Sequence, residues 1–270
     1  QVQATIRSSM KFENAPNGAT EAIHALSEVL EWGAGGTGQK LYTANMLWVK
    51  ARNDTLIDSL RIGRAEMMSD TPNINAFKAS DTLTYARMNA GFTKYYALAC
   101  DNVVIYDGRV GAALGLLVKN FCKANQIQYL PNELAFRWGA QNGINPLNRD
   151  PSDEIFKFSK LPAEGAIWAE WNIKANWILS AAQNTAHAEW CKNSDGLRRL
   201  EAALFVIGYS MPIETPTALN ASAKKSLISQ KASMDKKEFL SNPDVTGFVD
   251  WLSKDLPSRT FHLNISASRF

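Results

Sequence analysis

The sequence predicts a mainly α-helical fold with few or no strands, on three observations. Apolar residues recur at helical spacing along most of the chain. Capping residues and glycines stand where those runs start and stop. Period-two alternation, the mark of a half-buried strand, is confined to 103–106 and the C-terminal end.

The chain has 270 residues, 46% hydrophobic and 20% charged, an ordinary globular composition with ample apolar material for a core. That length suits a single globular unit, 1–270, of two helical lobes around a cleft. The formal net charge of +3 falls short of a strongly basic nucleic-acid binder, so charge alone neither requires nor excludes DNA. The eight tryptophans belong mostly to the core, because each covers a large apolar area and its indole N–H needs one partner. Cys100, Cys122 and Cys191 are odd in number and form no C-x-x-C pair. This excludes a disulfide framework and a zinc knuckle, and it points to a reducing compartment, the cytoplasm. No apolar run reaches the roughly eighteen residues of a membrane span, and 1–11 lacks the apolar stretch of a signal peptide.

The first helix is expected at 21–32, with Ile23, Leu26, Val29 and Leu30 on one face. Gly33, Gly35, Gly36 and Gly38 end it. A second helical stretch is expected over 41–58, and 70–80 reads as loop around Pro72. Three helices should follow in close succession: 82–91, capped by Ser80 or Asp81; 93–100, with Thr93 placed to cap it; and the very apolar 108–123, capped by Asp107. A short apolar connector, 102–106, joins the last two. Further on, a short helix is expected at 131–138 and loop over 141–162, punctuated by Pro146, Pro151 and Pro162. A long helix at 164–190 and another at 197–209 come next. A polar surface loop at 211–235, a last helix at 239–252 and a strand or tail at 259–270 complete the chain. No repeat at solenoid periods is present.

Several suggestive patterns lack the context their chemistry needs. Gly33 to Gly38 fits G-x-G-x-x-G by letter, but a helix precedes it where a dinucleotide fold has a strand. His24, His187 and His262 are scattered, with no partner at metal-ligand spacing, so no metal site is expected. Lys224, Lys225, Lys231, Lys236 and Lys237 make a basic stretch whose plain reading is a solvated loop.

The run that carries chemistry is 89–115. Gly91 is placed to turn the chain between two helices, and Lys94 stands in the first turn of the second. A cation there faces the positive end of the helix dipole, which eases loss of its proton. Burial would ease it further, and a neutral lysine amine is a nucleophile. Asp107 follows 13 positions later (107 − 94), at the start of an apolar helix, where a carboxylate accepts backbone N–H bonds and stays ionised. Arg109 is placed to pair with Asp107, with a phosphate or with another acid. By spacing alone, a structural first-turn lysine and a structural cap are the commoner reading of Lys94 and Asp107.

The order Gly91-Phe92-Thr93-Lys94, apolar helix, connector, Val104-Ile105-Tyr106-Asp107, apolar helix resembles the helix-hairpin-helix DNA glycosylase superfamily, and within it the 8-oxoguanine DNA glycosylase branch. The form Ile-Tyr-Asp-Gly-Arg-Val also resembles compact bacterial proteins with that fold. The resemblance covers about 82–118, and the hairpin with the active-site core that it implies occupies about 82–123. Here the hairpin carries one glycine where the family has two, and the Lys-to-Asp connector is shorter. The resemblance implies a glycosylase that removes a damaged or modified base from double-stranded DNA after flipping it out, with Lys94 as Schiff-base nucleophile and Asp107 as catalytic carboxylate. AP lyase activity would accompany the imine. Gly91, Phe92, Thr93, Arg109 and Trp138 are the candidates for DNA contacts or pocket walls, together with Tyr95, Tyr96, Trp168 and Trp171. No cofactor is implied. A non-catalytic DNA-binding protein of the same fold and a helical scaffold in which Lys94 and Asp107 form an ion pair are the alternatives.

Overall fold

Helix α1 (Gly18–Ala34) buries Leu26, Val29 and Leu30 of the expected face together with Ala22 and Ala25, and Ile23 is partly buried. It packs on α2 (Gln39–Lys50), α3 (Leu56–Met68) and α4 (Phe92–Ala99). The computed structural model describes residues 18–34, 38–79, 85–141, 146–211 and 234–258, with side chains in the last segment as far as 254. Ser80, Asp81, Gly35, Gly36 and the tail 259–270 lie outside these residues, as does nearly all of the expected loop 211–235 with Lys224, Lys225 and Lys231.

The expected second helix is two helices. Residues 51–55 form turns between α2 and α3, where Asn53, Asp54 and Thr55 are poor helix formers. Helix α3 shows a readable stripe of its own, with Leu56, Leu60, Gly63 and Met67 buried. A 3-10 turn at Ile74–Phe77 follows. The helix expected at 82–91 is not there in its described part: 85–88 has no regular secondary structure, and 89–91 turns. Ala86 donates its N–H to the Ala76 carbonyl at 2.9 Å, and Asn89 turns the chain into α4. In its described part, the motif before Lys94 is therefore an irregular entry and a turn, rather than a helical hairpin.

Helix α5 (Gly108–Ala124) is deeply buried, with Val110 to Gly115 entirely inside. It packs on α8 (Gly196–Ile207). The expected helix 131–138 reduces to a 3-10 turn at Asn132–Leu134. Helix α6 (Gly165–Thr185) is long, as its spacing predicts, but it ends at Thr185, and a separate short α7 (Glu189–Lys192) follows. Helices α9 (Lys236–Ser241) and α10 (Pro243–Ser258) close the fold, with α10 against α6. The described residues thus hold ten α-helices and no strand, and none of these helices is long and apolar enough to cross a membrane. Trp48, Trp138, Trp171 and Trp177 are core residues, and Cys100, Cys122 and Cys191 are buried free thiols.

The segment 103–106 is buried and has no regular secondary structure, and no strand lies beside it among the described residues. Buried peptide groups need partners, and here side chains supply them. The N–H groups of Val104, Ile105 and Tyr106 donate to Asn176 Oδ1, Glu201 Oε2 and Thr93 Oγ1 at 2.9, 2.7 and 2.8 Å. The carbonyls of Val103, Val104 and Tyr106 accept from Arg198 Nη2, Asn172 Nδ2 and Trp168 Nε1 at 2.7, 3.0 and 2.8 Å. Asn102 enters this segment at φ 56, a left-handed conformation that Asn tolerates. Helices α6 and α8 therefore fix where the segment runs, and with it the position of Asp107.

Candidate functional site

The start of α4 is capped by Asn89, not by Thr93. Asn89 Oδ1 accepts from the N–H groups of Gly91 and Phe92 at 2.9 and 3.1 Å, satisfying two donors that a helix start leaves free. Thr93 instead sits inside the first turn, fully buried. Its hydroxyl donates to Asn172 Oδ1 at 2.8 Å and accepts from Tyr106 N–H at 2.8 Å.

Lys94 follows Thr93. Its amine donates to the Ala90 carbonyl at 2.6 Å, and its aliphatic stem passes so close to Gly33 that a Cβ there would run into Cδ. The C-terminal end of α1 thus covers the lysine. Burial pushes the Lys94 amine below its ordinary 10.5; the nearby charge of Asp107 opposes this, and that of Arg109 adds to it. The amine is therefore easier to deprotonate than a surface lysine, and it feels Asp107 directly.

Asp107 caps α5 as predicted. Oδ1 accepts from the N–H groups of Arg109 and Val110 at 2.8 and 3.2 Å. Oδ2 accepts from Arg109 Nη2 and Nε at 3.0 and 3.2 Å. Arg109 also lies over the Phe205 ring at 4.5 Å. Its backbone touches Gly208 so closely that a Cβ on Gly208 would overlap the Arg109 carbonyl. Two helix N-termini, a partly desolvated amine and a guanidinium-paired carboxylate thus meet beside the C-terminal ends of α1 and α8.

Two residues that sequence reasoning missed join them. Arg149 lies within electrostatic reach of Asp107 and Arg109, and burial lowers its proton affinity. Its Nε is buried without a hydrogen-bond partner. Glu201 underlies the site through Ile105. Burial raises its carboxyl against the pull of Arg198, and Asp107 raises it further. No sequence pattern links either residue to 94–107. The signal for Asn89 was present: an Asn two residues before a Gly commonly forms a turn of this kind.

The other candidates fall mainly in the core. Gly91 is buried at φ −82, and a Cβ there would meet Asn45 and Leu30, so close packing rather than an unusual backbone favours glycine. Its N–H is held by Asn89. Phe92 is fully buried edge-on to Trp48 at 5.2 Å, not in a pocket wall. Trp138 is buried too, its Nε1 donating to the Phe158 carbonyl at 3.2 Å. Tyr95, Tyr96 and Trp171 are likewise buried. Trp168 is half-buried and tied to Tyr106. Among the described residues no group of His, Cys, Asp or Glu could hold a metal ion.

Comparison with family models, with curated proteins and with solved structures gives no match.

Proposed function

We propose that this chain is a cytoplasmic DNA glycosylase with AP lyase activity, acting on a damaged or modified base. The observation that carries the reading is the Lys94 amine, partly desolvated, shifted toward its neutral form and close enough to Asp107 to feel its charge. A glycosylase with a covalent intermediate needs this pair: a neutral amine to attack and a carboxylate beside the cation that forms.

The target base leaves the stack and enters the site. The C1′–N bond breaks, and its electron pair departs with the base, which takes up a proton. Positive charge gathers on the sugar, where Asp107 stabilises it. Lys94 Nζ bonds to C1′, the sugar ring opens, and an imine results. The imine acidifies the C2′ hydrogen, whose proton passes to water or to the released base. A C2′=C3′ double bond forms, the 3′ phosphate leaves with the C3′–O electron pair and the strand is cleaved. Hydrolysis of the imine returns the amine. Arg109 orients the carboxylate, and the cap bonds hold it at the helix start.

One observation favours a second reading. Both oxygens of Asp107 are occupied, by two backbone N–H groups and by Arg109, as they would be in a purely structural cap of a non-catalytic DNA-binding protein. The deciding experiment is a panel of duplexes, each with one oxidised, alkylated, deaminated or hypermodified base, incubated with the purified protein. Release of one of these bases above background supports the glycosylase. Binding of duplex without release of any supports the second reading.

A further inference from the structure

The turn leading into α4 carries a second cluster of cations, separate from Lys94 and Asp107. Arg52, just after α2, is only 7% exposed, which is unusual for an arginine without a charged partner. Its guanidinium carbon lies 4.4 Å from the Trp48 ring centroid and 4.6 Å from that of Tyr85. Arg87 brings a second guanidinium to the same indole, at 5.7 Å. Burial lowers the proton affinity of Arg87; Tyr85 opposes this, and the charge of Arg52 adds to it.

Two like charges are thus held on one indole, with Arg52 buried and Arg87 partly buried. Among the described residues neither pairs with a carboxylate. Among the described residues, Arg52 Nη1 reaches only the Trp48 carbonyl, at 3.4 Å. Arg52 Nε and the Trp48 indole Nε1 are both buried without a hydrogen-bond partner. Aromatic faces offset part of the cost of burying a guanidinium, but they leave its N–H groups and its charge unanswered. The surroundings hold the pair in place. Arg87 Nε donates to Asn45 Oδ1 at 2.9 Å, and the Arg87 carbonyl accepts from the Tyr96 hydroxyl at 3.1 Å.

We propose that Arg52 and Arg87, held on the ring faces of Trp48 and Tyr85, form a binding site for a phosphate group. Two guanidinium forks offer the donors that tetrahedral phosphate oxygens accept, and one phosphate relieves both charges. The site also bears on α4. Asn45 Oδ1 accepts from Asn89 Nδ2 at 2.8 Å as well as from Arg87, and Asn89 caps the helix that carries Lys94. The inference rests on this geometry and not on the glycosylase reading. A diester of a DNA strand and free phosphate share the chemistry.

The test follows the arginine Nε–H resonances of the full-length protein. Inorganic phosphate is titrated in first, against sodium chloride at matched ionic strength, and then a short DNA duplex. Saturable shifts of Arg52 and Arg87 with phosphate and not with chloride are expected. The same shifts with duplex assign the phosphate to a DNA strand, and shifts with phosphate alone assign it to the free ion. Arg87→Gln, at a half-exposed position, should keep the rest of the spectrum and weaken phosphate binding about tenfold or more. It carries the test even if Arg52→Gln fails to fold. Resonances unmoved by phosphate and by duplex would overturn the proposal, as would phosphate affinity unchanged in Arg87→Gln.

Discussion

The backbone N–H of Tyr106 donates to the hydroxyl of Thr93 at 2.8 Å, and this one bond sits immediately before both residues of the candidate pair. Thr93 precedes Lys94, and Tyr106 precedes Asp107. The bond therefore sets the register between the start of α4 and the start of α5, and Asn172 holds the same hydroxyl from α6.

Thr93→Val keeps the shape and removes the hydroxyl. It leaves the buried Tyr106 N–H without a partner, and Asn172 Oδ1 loses the Thr93 donor. Urea denaturation should show a loss of about 1–3 kcal/mol, and Thr93→Ser should restore most of it. A loss confined to a few tenths would mean that the clamp does not hold the two helix starts.

The pH dependence follows from the depressed Lys94 amine. Between its folded value and the ordinary 10.5, the unfolded chain holds a proton that the folded chain lacks. Stability from this group therefore rises with pH across that window and is lost as pH falls through the folded value. Asp107 favours the charged amine, so Asp107→Asn should lower the Lys94 value further. Arg109 opposes the charged amine, so Arg109→Gln should raise it. The rate of Lys94 acylation against pH, followed by mass spectrometry, reads both directions. Shifts of the opposite sign would break the electrostatic account.

Gly33 tests the cover over the amine. Because an added Cβ would run into the Lys94 stem, Gly33→Ala should displace the amine while leaving the core of α1 intact. Base release is expected to fall about tenfold to a hundredfold, with a melting temperature close to wild type. An unchanged rate would mean that Lys94 is not used in the position described.

Duplex binding should depend weakly on sequence and strongly on salt, since arginine and lysine contacts would go mainly to phosphates. A fluorescence-anisotropy titration at several salt concentrations checks this. Affinity that is flat with salt would argue against a phosphate-gripping surface.

Much of the helical content was legible in the sequence, because periodicity and caps are local. Asp107 followed by an apolar run defines α5, and the stripe from Ile23 to Leu30 defines α1. The missing helix before Gly91 was not legible, because pairing to the distant Ala76 carbonyl and the Asn89 turn overrode local propensity. Phe92 and Trp138 looked like pocket walls, but an aromatic ring carries no sequence mark of which side it faces, and both are in the core. The dependence of 103–106 on Asn172, Asn176, Arg198 and Glu201 joins residues far apart in the chain, so no spacing rule reaches it. Arg149 stands beside Asp107 for the same reason: the tertiary fold, not the local sequence, brings it there.

The central claim is that the Lys94 amine is the nucleophile. The direct measurement is borohydride trapping on a duplex bearing the base that the panel identifies, with wild type, Lys94→Gln and Asp107→Asn compared. Wild type should form a covalent protein–DNA adduct. Lys94→Gln should form none while still binding duplex, since the amine is needed for attack and not for the phosphate grip. Asp107→Asn should fold, because Asn also caps helices, yet it should trap far more slowly, since an amide cannot neutralise the developing charge. An adduct formed by Lys94→Gln at the wild-type rate would contradict the account and place the chemistry at another residue.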